Sequence, residues 1–168
     1  CCELASLAHL IELAERVHVL VSPHVDAGPA PAARFETALR QDDTLARAGP
    51  VLLLIPGSSP AALGPGSVHH EALVAMGATP AIAEGRPYMP LDAEDLIELR
   101  PEAVVLLAPG KDETWRALLG PLAELPIPAC RSGRVVVLRE ADVLMASTST
   151  LRFADAVRAS LGRWIDGG

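Results

Sequence analysis

Aromatic side chains make up only 3% of the 168 residues, as two Phe, two Trp and one Tyr. The core must therefore be built from Ala, Leu, Val and Ile. Lysine is scarcer still: Lys111 is the one lysine among 14 basic residues, the rest being arginine. Acidic residues number 21, so the formal charge is −7. A net negative chain with scattered arginines and few rings is a poor binder of nucleic acid. No apolar run approaches the roughly 20 residues of a membrane span. Cys1, Cys2 and Cys130 have neither metal-ligand spacing nor the look of a disulfide framework. The phosphate-binding patterns GxxxxGKS/T and GxGxxG and the GxSxG elbow are missing, and no motif places a Ser, a His and an Asp together. Nothing in the sequence points to nucleophilic catalysis, and no cofactor is expected.

Half of the residues are hydrophobic, which excludes general disorder. The length suits one domain and is enough to bury a core without staples. No charged segment precedes an apolar one at the start, so targeting is not legible. Cys1 would be the lipidated residue of a processed lipoprotein on one reading. The plainer expectation is that the sequence simply begins there.

Residues 3 to 21 have helical spacing, with Leu4, Leu7, Ala8, Ile11, Ala14 and Val17 opposed by Glu3, Glu12, Glu15 and Arg16. Ser22-Pro23 ends that helix, because proline disfavours the α region in the residue before it. The Pro-rich stretch from His24 to Ala33 reads as a linker. A second helix is expected from Ala33 to Ala48, stopped by Gly49-Pro50.

Beyond Pro50 the pattern becomes continuous apolar runs, Val51–Ile55, Ala103–Ala108 and Arg134–Leu138, separated by helical stretches at Ser67–Met76, Asp92–Leu99 and Asp112–Leu119. A last helix spans Thr150–Ile165. Runs without alternation suit strands buried on both faces, and helices between them imply right-handed crossovers. The expected fold class is α/β: a three-layer lobe with a small, mostly parallel sheet over residues 50–168, preceded by a helical region over residues 1–49. Val51–Ile55 should lie parallel and adjacent to Ala103–Ala108. Ala81–Ala83 is a candidate for a short fourth strand.

In open α/β sheets ligands gather at the carboxyl ends of strands, over loops and helix N-termini. The loop after the first run, Pro56 to Ser67, is long and glycine-bearing, and both a plain surface loop and a binding loop remain open. Ser67 can cap the following helix. His69 and His70 point about 100° apart on a helix, so they cannot readily share a metal. A solvated helix start is the expectation for both, with one histidine contacting a ligand as the alternative. Asp92 and Asp95 resemble a capping arrangement. Cys130 is expected to be an inert small residue in a connection.

Several pieces in order resemble one family. They are Gly64-Pro65-Gly66-Ser67 after a strand, Gly77-Ala78 after a helix, Asp92-Ala93-Glu94-Asp95-Leu96, and Pro101-Glu102-Ala103-Val104 leading into a strand. Leu125-Pro126, then Arg131-Ser132-Gly133-Arg134 before Val135–Leu138, and the closing helix from Thr150 complete the set. Together they resemble the C-terminal lobe of cluster A-type periplasmic substrate-binding proteins, which serve ABC importers of ferric siderophores, haem and cobalamin. Residues 3 to 48 are similar to the interlobe helices of that family, whose N-terminal lobe has no counterpart in this sequence. Ala78, Glu102 and the segment Ser147 to Thr150 depart from the family's usual residues.

The resemblance implies a binding protein rather than an enzyme, periplasmic or at the cell surface. Its ligand would be a metal chelate, haem or a corrinoid, and it would meet a membrane only through a permease or a lipid anchor. It implies that Glu94 docks an ABC permease and that Tyr88 faces the ligand with Gly64, Gly66, Ser67 and His69. Prolines on both sides of Tyr88-Met89 would present the ring with little entropy left to lose. A ring that merely covers the core end is the competing reading. A small α/β enzyme domain, or an interaction lobe without transport function, are the other two functional classes.

Overall fold

A computed structural model of the chain describes residues 6–21, 30–147 and 149–167. Cys1, residues 3–5, Ser22-Pro23 and most of the expected linker lie outside them. The helices are α1 (Leu7–Val21), α2 (Pro31–Ala38), α3 (Val68–Ala75), α4 (Ala93–Leu99), α5 (Trp115–Leu119), α6 (Pro128–Ser132) and α7 (Ser149–Asp166). The strands are β1 (Val51–Ile55), β2 (Ala61–Leu63), β3 (Tyr88–Pro90), β4 (Ala103–Leu107) and β5 (Val135–Leu138). They form one sheet in the order β3-β2-β1-β4-β5.

The centre of the sheet is parallel. β1 pairs with β4 from Val51↔Ala103 to Leu54↔Leu106, and β4 pairs with β5 from Val104↔Val135 to Leu107↔Leu138. Strand period is two, so each uniformly apolar run serves two cores. Val51, Leu53, Ala103, Val105 and Leu107 face a layer made by α1, α2, α3, α7 and a 3-10 turn over Asp43–Ala48. Leu52, Leu54, Val104 and Leu106 face α4, α5, α6 and a 3-10 turn over Gly120–Glu124. Phe35 and Phe153, both of the phenylalanines, are fully buried in the first layer.

Local chemistry moved several expected boundaries. The Ala33–Ala48 helix is two pieces, because Asp42 accepts hydrogen bonds from both the Thr44 backbone N–H (3.0 Å) and its hydroxyl (2.6 Å). That side-chain turn competes with helix continuation and starts the 3-10 turn instead. Pro31, Ala32 and Ala33, expected in the linker, form the first turn of α2, where proline's missing N–H costs nothing. α5 starts only at Trp115, capped by Thr114. Cys130 sits within α6 rather than in a connection.

The largest correction concerns the sheet edge. Ala81–Ala83 is not a strand. Only Pro80 bridges to Val51, flanked by hydrogen bonds from the Val51 N–H to the Thr79 carbonyl and from the Ala81 N–H to the Val51 carbonyl, both 2.8 Å. The extra strands are β2, inside the expected loop, and β3, which carries Tyr88. Both pairings are antiparallel, Ile55↔Ala61 and Leu63↔Tyr88 among them.

Gly77 shows how α3 leaves its layer. Its φ is +88°, and a Cβ there would lie 3.0 Å from the Asp42 carbonyl oxygen. Gly77→Ala should therefore destabilise by about 1–3 kcal/mol in urea unfolding. Gly162, helical in α7 with nothing within 4 Å of its would-be Cβ, gives the opposite sign: Gly162→Ala should stabilise by about 0.5–1 kcal/mol.

Candidate functional site

Ser67 is the N-cap of α3. Its Oγ accepts from the His70 backbone N–H at 3.3 Å and donates to the Gly64 carbonyl at 2.8 Å. The hydroxyl is thus satisfied in both directions while the residue is buried. Gly64 and Gly66 bring the backbone of β3's approach close. A Cβ on Gly64 would lie 2.6 Å from the Arg86 carbonyl oxygen, and Gly66 has φ +85° with Pro87 at 3.1 Å. These glycines let the segment Arg86-Pro87 pass close to the end of β2, where β3 pairs and places Tyr88 opposite Leu63.

The two histidines correct the expectation of a solvated helix start. His69 and His70 are 4% and 8% exposed. As their spacing on the helix requires, the rings diverge. His69 Nε2 donates to the Val143 carbonyl at 2.6 Å, and its ring meets Phe153 edge to face at 5.0 Å. His70 Nε2 bonds the Ile82 carbonyl at 2.9 Å. A backbone carbonyl for each imidazole is what makes their burial tolerable. Burial lowers the His69 pKa, only partly offset by the bond to Val143, so the ring is neutral near pH 7 and its Nδ1 is an acceptor. Among the described residues no group of three His, Cys, Asp or Glu could hold a metal.

Ser67, His69 and Tyr88 line one cavity of about 120 Å³. Ile55 at the end of β1, Leu63 and Val68 supply its apolar wall, and Leu144 and Ala146 close it from the loop after β5. Gly64 and Gly66 are not among the lining residues. The Tyr88 ring stands at the mouth, 51% exposed. The sequence reading missed the contribution of Leu144 and Ala146, which lie in the loop after β5 that His69 bonds at Val143.

Glu94 is remote from this cavity, on α4 in the other layer. Its side chain is exposed, and its backbone N–H donates to Asp92 Oδ1 at 2.8 Å. Asp92 and Asp95 form the reciprocal capping box that their spacing suggests: Asp92 Oδ1 accepts from the Asp95 N–H at 3.0 Å, and Asp95 Oδ2 from the Asp92 N–H at 2.8 Å.

This architecture is that of the cluster A-type periplasmic substrate-binding proteins, those for siderophores, haem and vitamin B12. A periplasmic haem-binding protein from Pseudomonas aeruginosa superimposes with a TM-score of 0.71 at 25% identity, over 96% of this chain and 61% of that one. An ABC-type Fe3+-hydroxamate transport protein from Saccharomonospora viridis gives 0.70 at 18% identity, over 94% and 57%. The vitamin B12-binding protein of Vibrio cholerae gives 0.67 at 15% identity, over 94% and 62%. The chain thus spans about three fifths of the length of these proteins. No protein-family model and no curated protein matches the sequence.

The neutral buried imidazole has a consequence for stability. The folded state holds the His69 pKa below its ordinary value of 6.5, so as pH falls the unfolded chain takes up this proton first. The His69 contribution is complete above about pH 6.5 and is lost as pH drops through the folded-state value. Between about pH 7.5 and about pH 5, the urea midpoint of the native protein should fall more steeply than that of His69→Gln, whose amide does not titrate.

Proposed function

We propose that the chain is the ligand-capturing lobe of the substrate-binding component of an ABC importer for an iron chelate, haem or a corrinoid. Residues 50–168 form that lobe, and residues 1–49 are the helical region that joins it to a second lobe. The protein works in the periplasm or at the cell surface. It reaches the membrane through a permease or a lipid anchor, and among the described residues no helix is long and apolar enough to cross a membrane.

The observation that carries this reading is the half-exposed Tyr88 ring at a cavity shared with Ser67 and His69. A flat ring with a hydroxyl can stack on a planar macrocycle or an aromatic chelate and offer a hydrogen bond or an oxygen ligand. The cavity itself is small. At about 120 Å³ it falls well short of the roughly 300–1,000 Å³ that encloses a drug-sized molecule. It accepts the edge of a ligand, and the remainder lies outside this lobe. The named ligands of the three structural neighbours, haem, a ferric hydroxamate and vitamin B12, are all large enough to need two such surfaces.

Glu94 is the proposed permease contact. It is exposed at the start of α4, where the helix dipole also favours a carboxylate, and it is free of the ligand cavity.

Absorbance titration with haemin, cyanocobalamin and a ferric hydroxamate tests the ligand reading. One of the three should give a saturable spectral shift, and Tyr88→Ala should weaken it by about tenfold, the scale of a lost stacking and hydrogen-bonding ring. No shift with any of them sinks the proposal. Glu94→Ala should leave the titration unchanged and abolish uptake by the assembled importer. Unchanged uptake removes Glu94 from the interface.

A further inference from the structure

A second cleft, of about 540 Å³, lies between α2 and the first half of α7 and shares no residue with the Tyr88 cavity. Its charge is opposite to that of the chain. Arg34, Arg40 and Arg158 line it against a single carboxylate, Asp155, in a protein whose formal charge is −7. The three guanidinium groups are not equivalent. Arg158 is fixed: its Nη2 donates to the Ala38 carbonyl at 3.0 Å and to the Arg40 carbonyl at 2.8 Å, and its Nη1 lies 3.5 Å from Asp42. It thereby ties α7 to the end of α2. Arg34 and Arg40 are exposed, and among the described residues neither has a carboxylate partner or a side-chain hydrogen bond. Leu151 with Ala33 and Ala38 gives the cleft an apolar side.

We propose that this cleft binds a phosphate monoester dianion. Asp42 offsets Arg158, so the charges offered to a ligand are those of Arg34 and Arg40, two unpaired guanidinium groups that a dianion would bridge, with Asp155 the one opposing carboxylate on the lining. Guanidinium forks match phosphate oxygens in pairs, and the two free forks line the same cleft as the anchored Arg158. A carboxylate ligand carries only one charge, and Asp155 already supplies that chemistry. The same dianion occurs as a soluble phosphate and as the headgroup of phosphatidic acid, whose acyl chains would meet the apolar side. This inference is independent of the chelate reading, since neither the Tyr88 cavity nor Glu94 takes part.

The test uses the whole chain at low salt, with inorganic phosphate followed by calorimetry and with phosphatidylcholine vesicles containing either phosphatidic acid or phosphatidylglycerol followed by sedimentation. Saturable binding is expected to phosphate, or to phosphatidic acid vesicles over phosphatidylglycerol ones. The first assigns the soluble source and the second the headgroup. The double substitution Arg34→Gln, Arg40→Gln removes only exposed, unpaired groups and should weaken binding by about tenfold or more. Asp155→Asn should tighten it by about threefold, as expected for removing one like charge from the ligand's surroundings. Binding that is unaffected by the double substitution overturns the proposal. So does equal retention on both kinds of vesicle without binding of phosphate, or no binding to any of the probes.

Discussion

The parallel pairing of β1 with β4 is the contact to which the other elements are referred. Every residue of β4 and all but the last of β1 are buried, and their side chains alternate between two cores. Each face therefore needs a helical layer of its own, and the chain supplies one on each side. The pair also fixes the ends of the sheet. The Val51 backbone catches Thr79 and Ala81 at the amino end, which returns the chain after α3. At the other end Ile55 projects into the cavity that Ser67, His69 and Tyr88 share. The place of the candidate site is thus set by where β1 stops.

The histidines convert that placement into a shaped mouth. An imidazole in a low-dielectric interior is tolerated only when its N–H has an acceptor. His69 finds one in the loop after β5, and His70 finds one at Ile82. One helix start thereby ties down two segments distant in sequence. The first bond reaches the loop that gives Leu144 and Ala146 to the cavity wall. The second anchors the segment that leads on to β3. Neither ring needs a charge to do this, and burial keeps His69 neutral.

Much of this was legible in the sequence, and the failures share a cause. The runs Val51–Ile55 and Ala103–Ala108 could be read as adjacent parallel strands because short, unbroken apolar runs bounded by loops, with helical stretches between them, suit strands covered on both faces. The Asp92–Asp95 box was legible because capping is local chemistry. β2 was not. Ala61-Ala62-Leu63 has no β-branched residue, and its strand state depends on pairing with Ile55 and Tyr88, which sequence propensity does not contain. The burial of His69 and His70 failed for the same reason, since their acceptors lie 74 and 12 residues away. Tyr88 was singled out by its prolines and its uniqueness, whereas the apolar lining beneath it came from four separate segments.

Size is what links the cavity to the rest of the reading. A recess of about 120 Å³ has room for about four waters at roughly 30 Å³ each, and its largest aromatic ring faces outward. A complete pocket for a small molecule would bury that ring or cover it. On the proposed function, an exposed Tyr88 over an apolar recess would be half of a contact, losing water when a flat apolar surface is laid on it. The proteins that share this fold extend well beyond the region matched by this chain. A ligand gripped between two surfaces pairs an open mouth on each, and under the proposed function the recess beside Tyr88 would be one of them.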